Sequence, residues 1–151
     1  MTGSTQALVI AATIGSGVVA GVFFAFSAFV MQGLNRVAPR EAVAAMQGIN
    51  QTAVTPLFML AFLGTALLCA ALVVRGLLSF SEGWAKLALA AGALYLAGSV
   101  GVTLALNVPL NDRLERVDAA GAGAGAGWAA FSAPWIAFNH VRTIAAVLAF
   151  A

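Results

Sequence analysis

Residues 128–151 read WAAFSAPWIAFNHVRTIAAVLAFA, and whether this run crosses a membrane decides the fold of the whole chain. It is apolar except around Asn139-His140-Val141-Arg142, which holds the only histidine of the chain and a basic residue deep inside an apolar segment. A charge at the centre of a membrane helix costs about 2.5–3.5 kcal/mol on insertion scales, so such residues face the interior of a bundle or a water-filled cavity. Read as a span, the run therefore implies a membrane protein with an interior place for Arg142.

Composition supports that reading. The chain has 151 residues, of which 62% are hydrophobic and 8% charged, and its mean hydropathy is +1.01. A soluble domain carries about 25% charged residues. At about 20 residues per span, the length accommodates four helices and short loops but no large extramembrane domain. The net charge of +2 includes no basic run, which argues against nucleic acid as a partner. Cys69 stands alone within an apolar run, so it forms no internal disulfide and reads as packing.

Working back from the last run, three more spans emerge, giving predicted spans at about 6–34, 54–78, 84–108 and 128–151. The first has no basic residue before it and is too long for the apolar core of a signal peptide, so it is read as a retained helix. Its Gly17 and Gly21 form a small-xxx-small pair of the kind that lets a neighbouring helix approach closely. Between spans 1 and 2, Pro39 to Asn50 predicts a short interfacial helix, with Val43, Met46 and Ile49 on one face. Pro109 should kink the end of the third helix, with one or two more turns following it, to about Val117. Ala119 to Gly127 alternates alanine and glycine and is predicted to be a flexible linker. The fold class is thus all-α: an integral membrane four-helix bundle with a short interfacial helix, forming a single domain over 1–151.

Four spans bring the end of helix 1, the start of helix 2, the end of helix 3 and the start of helix 4 to one side of the bilayer. These places hold Gln32, Asn35, Gln47, Asn50, Gln51, Asn107, Asn111, Asp112, Arg113, Asn139, His140 and Arg142. Thr103, Asn107 and Asn111 are spaced by four and share a face; so do Trp135, Asn139 and Arg142. The pattern predicts a pocket floored by Arg142, walled by amides and roofed by Trp135. His140, about 100° around the helix from Asn139, faces a neighbouring helix or shares the pocket edge. Plainer roles compete with each of these. Arg142 can pair with Asp112, Glu115 or Asp118, the asparagines can serve as interhelical hydrogen-bond glue, and the tryptophans can form an interfacial belt. Arg36, Arg40, Arg113 and Arg116 on the polar side favour a cytoplasmic location for it, in the cell (inner) membrane, by the positive-inside rule.

The motif Asn107-Val-Pro109-Leu-Asn111, followed by the Trp-containing start of the last run and Asn139-His140-Val-Arg142, resembles the anthrone oxygenase-like family of small membrane proteins. Phe26-Ser27 with Val30-Met31, and Met46-Gln47-x-Ile49-Asn50, fit the same pattern. The resemblance implies a monooxygenase that inserts oxygen from O2, as co-substrate, at the activated methylene of a lipophilic polycycle, with no organic cofactor. On that reading His140 is the base, and Arg142 and Asn139 stabilise the oxyanion. Asn107 and Asn111 orient ring oxygens, Trp135 stacks on the polycycle, and Asn50 and Gln47 complete the substrate-binding set. The partners expected are the lipid bilayer and a lipophilic small molecule entering from it, and a homo-oligomer is compatible with the glycine pair.

No metal is assigned, because transition-metal sites usually gather more nitrogen or sulfur than this chain supplies; if one is bound, His140 is the only plausible ligand. The alternative to an enzyme is a membrane binding protein or structural subunit that holds a small lipophilic or quinone-like ligand without chemistry. Transport is disfavoured, since transporters usually have more spans and internal repeats.

Overall fold

A computed structural model describes residues 1–151 as five helices joined by short turns. Helix α1 covers Gly3–Leu34, α3 Pro56–Leu78 and α4 Gly83–Glu115. The short α2 covers Pro39–Ala53 and α5 covers Ala124–Phe150. Helices α1, α3 and α4 are long and apolar enough to cross a membrane. Helix α5 has the length, at 27 residues, but Asn139, His140 and Arg142 dilute its apolar character. The four spans expected from sequence are therefore met by three helices on length and composition together.

Local chemistry sets the helix ends. The Thr2 side chain accepts a hydrogen bond from the Thr5 N–H and caps α1. Pro39 and Pro56 open α2 and α3, where a missing N–H costs nothing. The Glu41 carboxylate accepts from the Ala38 N–H at 3.3 Å, and its charge suits a helix N-terminus. At the other end of the chain, the alanine–glycine stretch is shorter as a loop than expected. Its last residues, Ala124 to Gly127, already form the first turn of α5, with Trp128 buried directly after them.

Helices α1 and α4 each pack against both α3 and α5. The outer faces of the helices remain apolar: Leu57, Leu67, Leu78 and Leu87 are each at least 74% exposed. So much exposed leucine is expected only where lipid replaces water. Inside, one apolar cluster joins Val19, Phe23, Phe62, Cys69, Leu72, Tyr95 and Ala146. A second, at the end of the molecule where α2 lies, joins Met31, Ala42, Val43, Met46, Leu114, Phe131 and Trp135. The apolar face of α2 is therefore spent on the protein, against α5 and the last turns of α4.

The long helices carry two features that the sequence does not announce. Helix α4 continues past Pro109 to Glu115, as expected. It passes through wide turns at Leu94–Gly101 and Thr103–Asn107, and the Val108 N–H bonds the Thr103 carbonyl five residues back. Pro109 has no N–H to offer the carbonyl four residues before it, and the turn ahead of it widens instead. A similar turn occupies Phe26–Val30 in α1, where the Met31 N–H reaches the Phe26 carbonyl.

The predicted glycine pair is a close approach at one position only. An added Cβ at Gly17 would fall 2.9 Å from the Phe150 ring of α5, whereas Gly21 faces open space. A tight approach occurs at Gly98, where an added Cβ would collide with the Ala145 Cβ across the α4–α5 contact. Gly98→Ala is expected to cost about 1–3 kcal/mol through overpacking. Thermal unfolding in mild detergent measures it, and Gly21→Ala serves as the neutral control.

Candidate functional site

Asn139 and Arg142, two of the buried polar residues, border a cavity of about 340 Å³ beneath α2 and the elbow that leads into α3. That size falls at the lower end of small-molecule sites. Aromatic rings form much of its wall, from Phe23 and Phe26 on α1, Phe58 and Phe62 on α3, and Trp135 on α5. Its polar lining includes Asn50, Thr103, Asn111, Asn139 and Arg142.

Arg142 dominates the electrostatics. It is only 6% exposed. Its Nη2 donates to Asn139 Oδ1 at 2.7 Å and its Nη1 to Thr103 Oγ1 at 3.2 Å. The guanidinium carbon lies 4.3 Å from the centre of the Phe23 ring and 5.1 Å from that of Trp135. Its Nε has no partner. The pairing with Asp112, Glu115 or Asp118 that would have made Arg142 structural is not formed. Those three carboxylates are exposed, and the one ion pair of the chain joins the Met1 amino group to Glu82 at 3.4 Å. A buried guanidinium without a carboxylate is costly, and here only amide, hydroxyl and π-face contacts offset that cost.

The arginine is held by a closed ring of hydrogen bonds between α1 and α5. Asn139 Nδ2 donates to the Phe23 carbonyl at 2.9 Å and to Ser27 Oγ at 2.8 Å. Ser27 Oγ lies 2.9 Å from Thr143 Oγ1, which donates to the Asn139 carbonyl at 2.8 Å. With the Thr143 proton so used, the Ser27 hydroxyl donates to Thr143. Asn139 thus spends its two N–H bonds on α1 and turns its oxygen to Arg142.

Trp135 is fixed from both sides by α4. Its Nε1 donates to Asn111 Oδ1 at 2.8 Å, and its carbonyl accepts from Asn107 Nδ2 at 3.2 Å. Asn107 is fully buried, stands behind the cavity wall and leaves its Oδ1 unpartnered. Gln47 also stays outside the cavity. Its Nε2 donates to the Leu114 and Val117 carbonyls at 3.0 and 2.9 Å, satisfying acceptors at the end of α4 and fastening α2 across the cavity.

Of the residues expected to form a site, Arg142, Asn139, Trp135, Asn111 and Asn50 line the cavity, while Asn107 and Gln47 hold its framework. His140 is a correction. It is exposed and absent from the lining, because one step along the helix from Asn139 turns the side chain by about 100°. The cavity is lined by neither imidazole nor carboxylate. No group of three or more His, Cys, Asp or Glu side chains comes together anywhere to hold a metal ion. Sequence reasoning gave no role at Arg142 to Phe23, and none to Thr143. Thr143 was legible, since it lies four residues after Asn139 on the same helix face. Phe23 had no distinguishing signal among the phenylalanines of α1.

Fold and site together describe an all-α protein of membrane-type helices enclosing an aromatic cavity with one uncompensated cation in its wall. A family model described as anthrone oxygenase matches residues 58–151, and the chain belongs to that family. The matched residues include Thr103, Asn107, Asn111, Trp135, Asn139 and Arg142, whereas Phe23, Phe26, Ser27 and Asn50 lie before them. Neither the curated proteins nor the solved structures contain a match to this chain.

Proposed function

We propose that the protein is a membrane-embedded monooxygenase that oxidises the activated methylene of a polycyclic aromatic ketone with O2, and that α5 completes a four-span bundle. The observation that carries this reading is the Arg142 guanidinium, buried without a carboxylate in the wall of an aromatic cavity. Such a group stabilises an oxyanion that develops on a bound ketone, in a medium where its charge is poorly screened. Membership of the anthrone oxygenase family supports the choice of reaction.

In this mechanism the ketone oxygen of an anthrone docks against Arg142 while its rings lie among Phe23, Phe26 and Trp135. Stabilising the enolate favours loss of a methylene proton. With no imidazole or carboxylate in the cavity wall, water at the mouth takes that proton. The electron-rich carbon then passes electrons to O2 and forms a carbon–oxygen bond, giving a peroxide. Loss of the second C–H proton and cleavage of the O–O bond release water and leave a second carbonyl. The methylene loses two hydrogens and gains one oxygen atom, and the other oxygen atom ends in water, so no external reductant is required. Because the outer surface is apolar, the substrate enters from the bilayer, past the elbow between α2 and α3.

The test is anthrone oxidation by the purified protein in mild detergent under isotopically labelled dioxygen. The expected product is an anthraquinone carrying one labelled oxygen, formed well above the rate of spontaneous oxidation. A rate equal to the protein-free control would overturn the assignment. The absence of a side-chain base from the cavity favours one second reading, a binder that holds the anionic form of such a ligand without turning it over. The same assay, paired with a binding titration, separates the two.

A further inference from the structure

Two hydrogen-bond donors at the wall of this one cavity have no partner within the protein. One is Arg142 Nε and the other is Asn50 Nδ2. Buried donors left unpaired are costly and uncommon in native structures. Where two of them border one space of ligand size, the simplest way to satisfy both is a ligand with two oxygen acceptors. The two donors belong to different walls. Arg142 stands on α5 within its ring of partners, and Asn50 stands near the end of α2, beside the elbow. The hydroxyl of nearby Thr52 is already committed to the Gly48 and Ile49 carbonyls, so Asn50 is the free polar group on that wall.

Building on the oxygenase reading, we propose that Asn50 is the donor to a second oxygen of the ligand, the one that the reaction installs. The starting ketone offers a single oxygen, which Arg142 meets. After O2 adds, the former methylene carbon carries a peroxide oxygen and finally a carbonyl oxygen, and Asn50 Nδ2 donates to it. The site therefore favours quinone-type ligands with two oxygens over ketones with one. On this basis Asn50 is a catalytic residue for the second half of the reaction.

The test is anaerobic binding to the full-length protein in detergent, which needs no turnover, with two probes. Anthrone under argon carries one oxygen and 9,10-anthraquinone carries two. Wild type is expected to bind anthraquinone about tenfold more tightly, the worth of one buried hydrogen bond. Asn50→Leu should abolish that difference by weakening anthraquinone alone, and Asn50→Gln, which keeps an amide donor, should restore part of it. Equal weakening of both probes by Asn50→Leu, or of neither, would overturn the proposal; binding of neither probe by wild type would overturn it together with the reading of the cavity. Asn50-dependent binding of anthraquinone without any oxidation of anthrone under O2 would refute the oxygenase reading and leave the two-donor site standing.

Discussion

Arg142→Met is expected to abolish most of the oxidation rate while leaving thermal stability near that of wild type. Removing one preorganised donor from an oxyanion site typically costs about 10²–10³ in rate. Arg142 is the only cation lining the cavity, which places the expected loss at the upper end of that range. Stability should respond differently. The substitution takes a desolvated charge out of the interior, and replacing buried ionic groups by apolar ones of similar volume is often neutral or stabilising. Against this, Asn139 Oδ1 loses its partner, at about 1–3 kcal/mol, so the two effects largely cancel. Initial rates on anthrone and thermal unfolding in detergent, measured on the same preparation, check both halves. Parallel loss of rate and stability would reduce Arg142 to a packing residue. Arg142→Lys keeps the charge but not the planar fork that reaches Asn139 and Thr103 together, and should fall between.

Asn139→Ala should be the most destabilising single change at the site. It leaves Arg142 Nη2 without its closest acceptor and opens the ring that ties α5 to Phe23 and Ser27 of α1. Each buried partner left unsatisfied costs about 1–3 kcal/mol, and more where the group is charged, so a loss of at least about 3 kcal/mol is expected from equilibrium unfolding. Asn139→Asp makes the informative contrast. It places a carboxylate beside the guanidinium and supplies the counter-ion that the native cavity lacks. Arg142 keeps an acceptor, but the carboxylate cannot donate to the Phe23 carbonyl as the amide does, so stability falls as well, while oxidation falls because the cation is neutralised. Full activity in Asn139→Asp would show that the uncompensated charge is not what the site uses.

Much of this arrangement was legible in the sequence because few polar residues sit in apolar segments, and each has to find an interior partner. Trp135, Asn139 and Arg142 read as one stripe at helical spacing, and all three line the cavity. Thr103, Asn107 and Asn111 also read as one face. They meet Arg142, the Trp135 carbonyl and the Trp135 indole in turn. A spacing of four drifts slowly around an ordinary α-helix, and the wide turn at Thr103–Asn107, closed by bonds five residues back, reduces that drift. No pattern announced the widening itself, since Pro109 signals only that a donor is missing. His140 was misplaced because it lies next to Asn139 and two residues before Arg142, and adjacency along a helix is not adjacency in space. The alanine–glycine stretch misled in the other direction. Glycine argues for a loop, but Trp128 and Phe131 bury themselves against α2 and draw the preceding residues into the helix.

The wide turn at Phe26–Val30 bears on how the site can change over generations. It holds one residue more than an α-helical turn of the same reach, stored within a helix that is otherwise regular. Deleting a single residue there need not break α1. The turn would close to an ordinary α-helical one, leaving Phe23 and Met31 near the faces they present now. The arginine would keep the ring that faces it and the carbonyl that orients Asn139, although α1 had lost a residue. The wide turn thus lets the length of α1 change by one while the faces on either side of it stay in place.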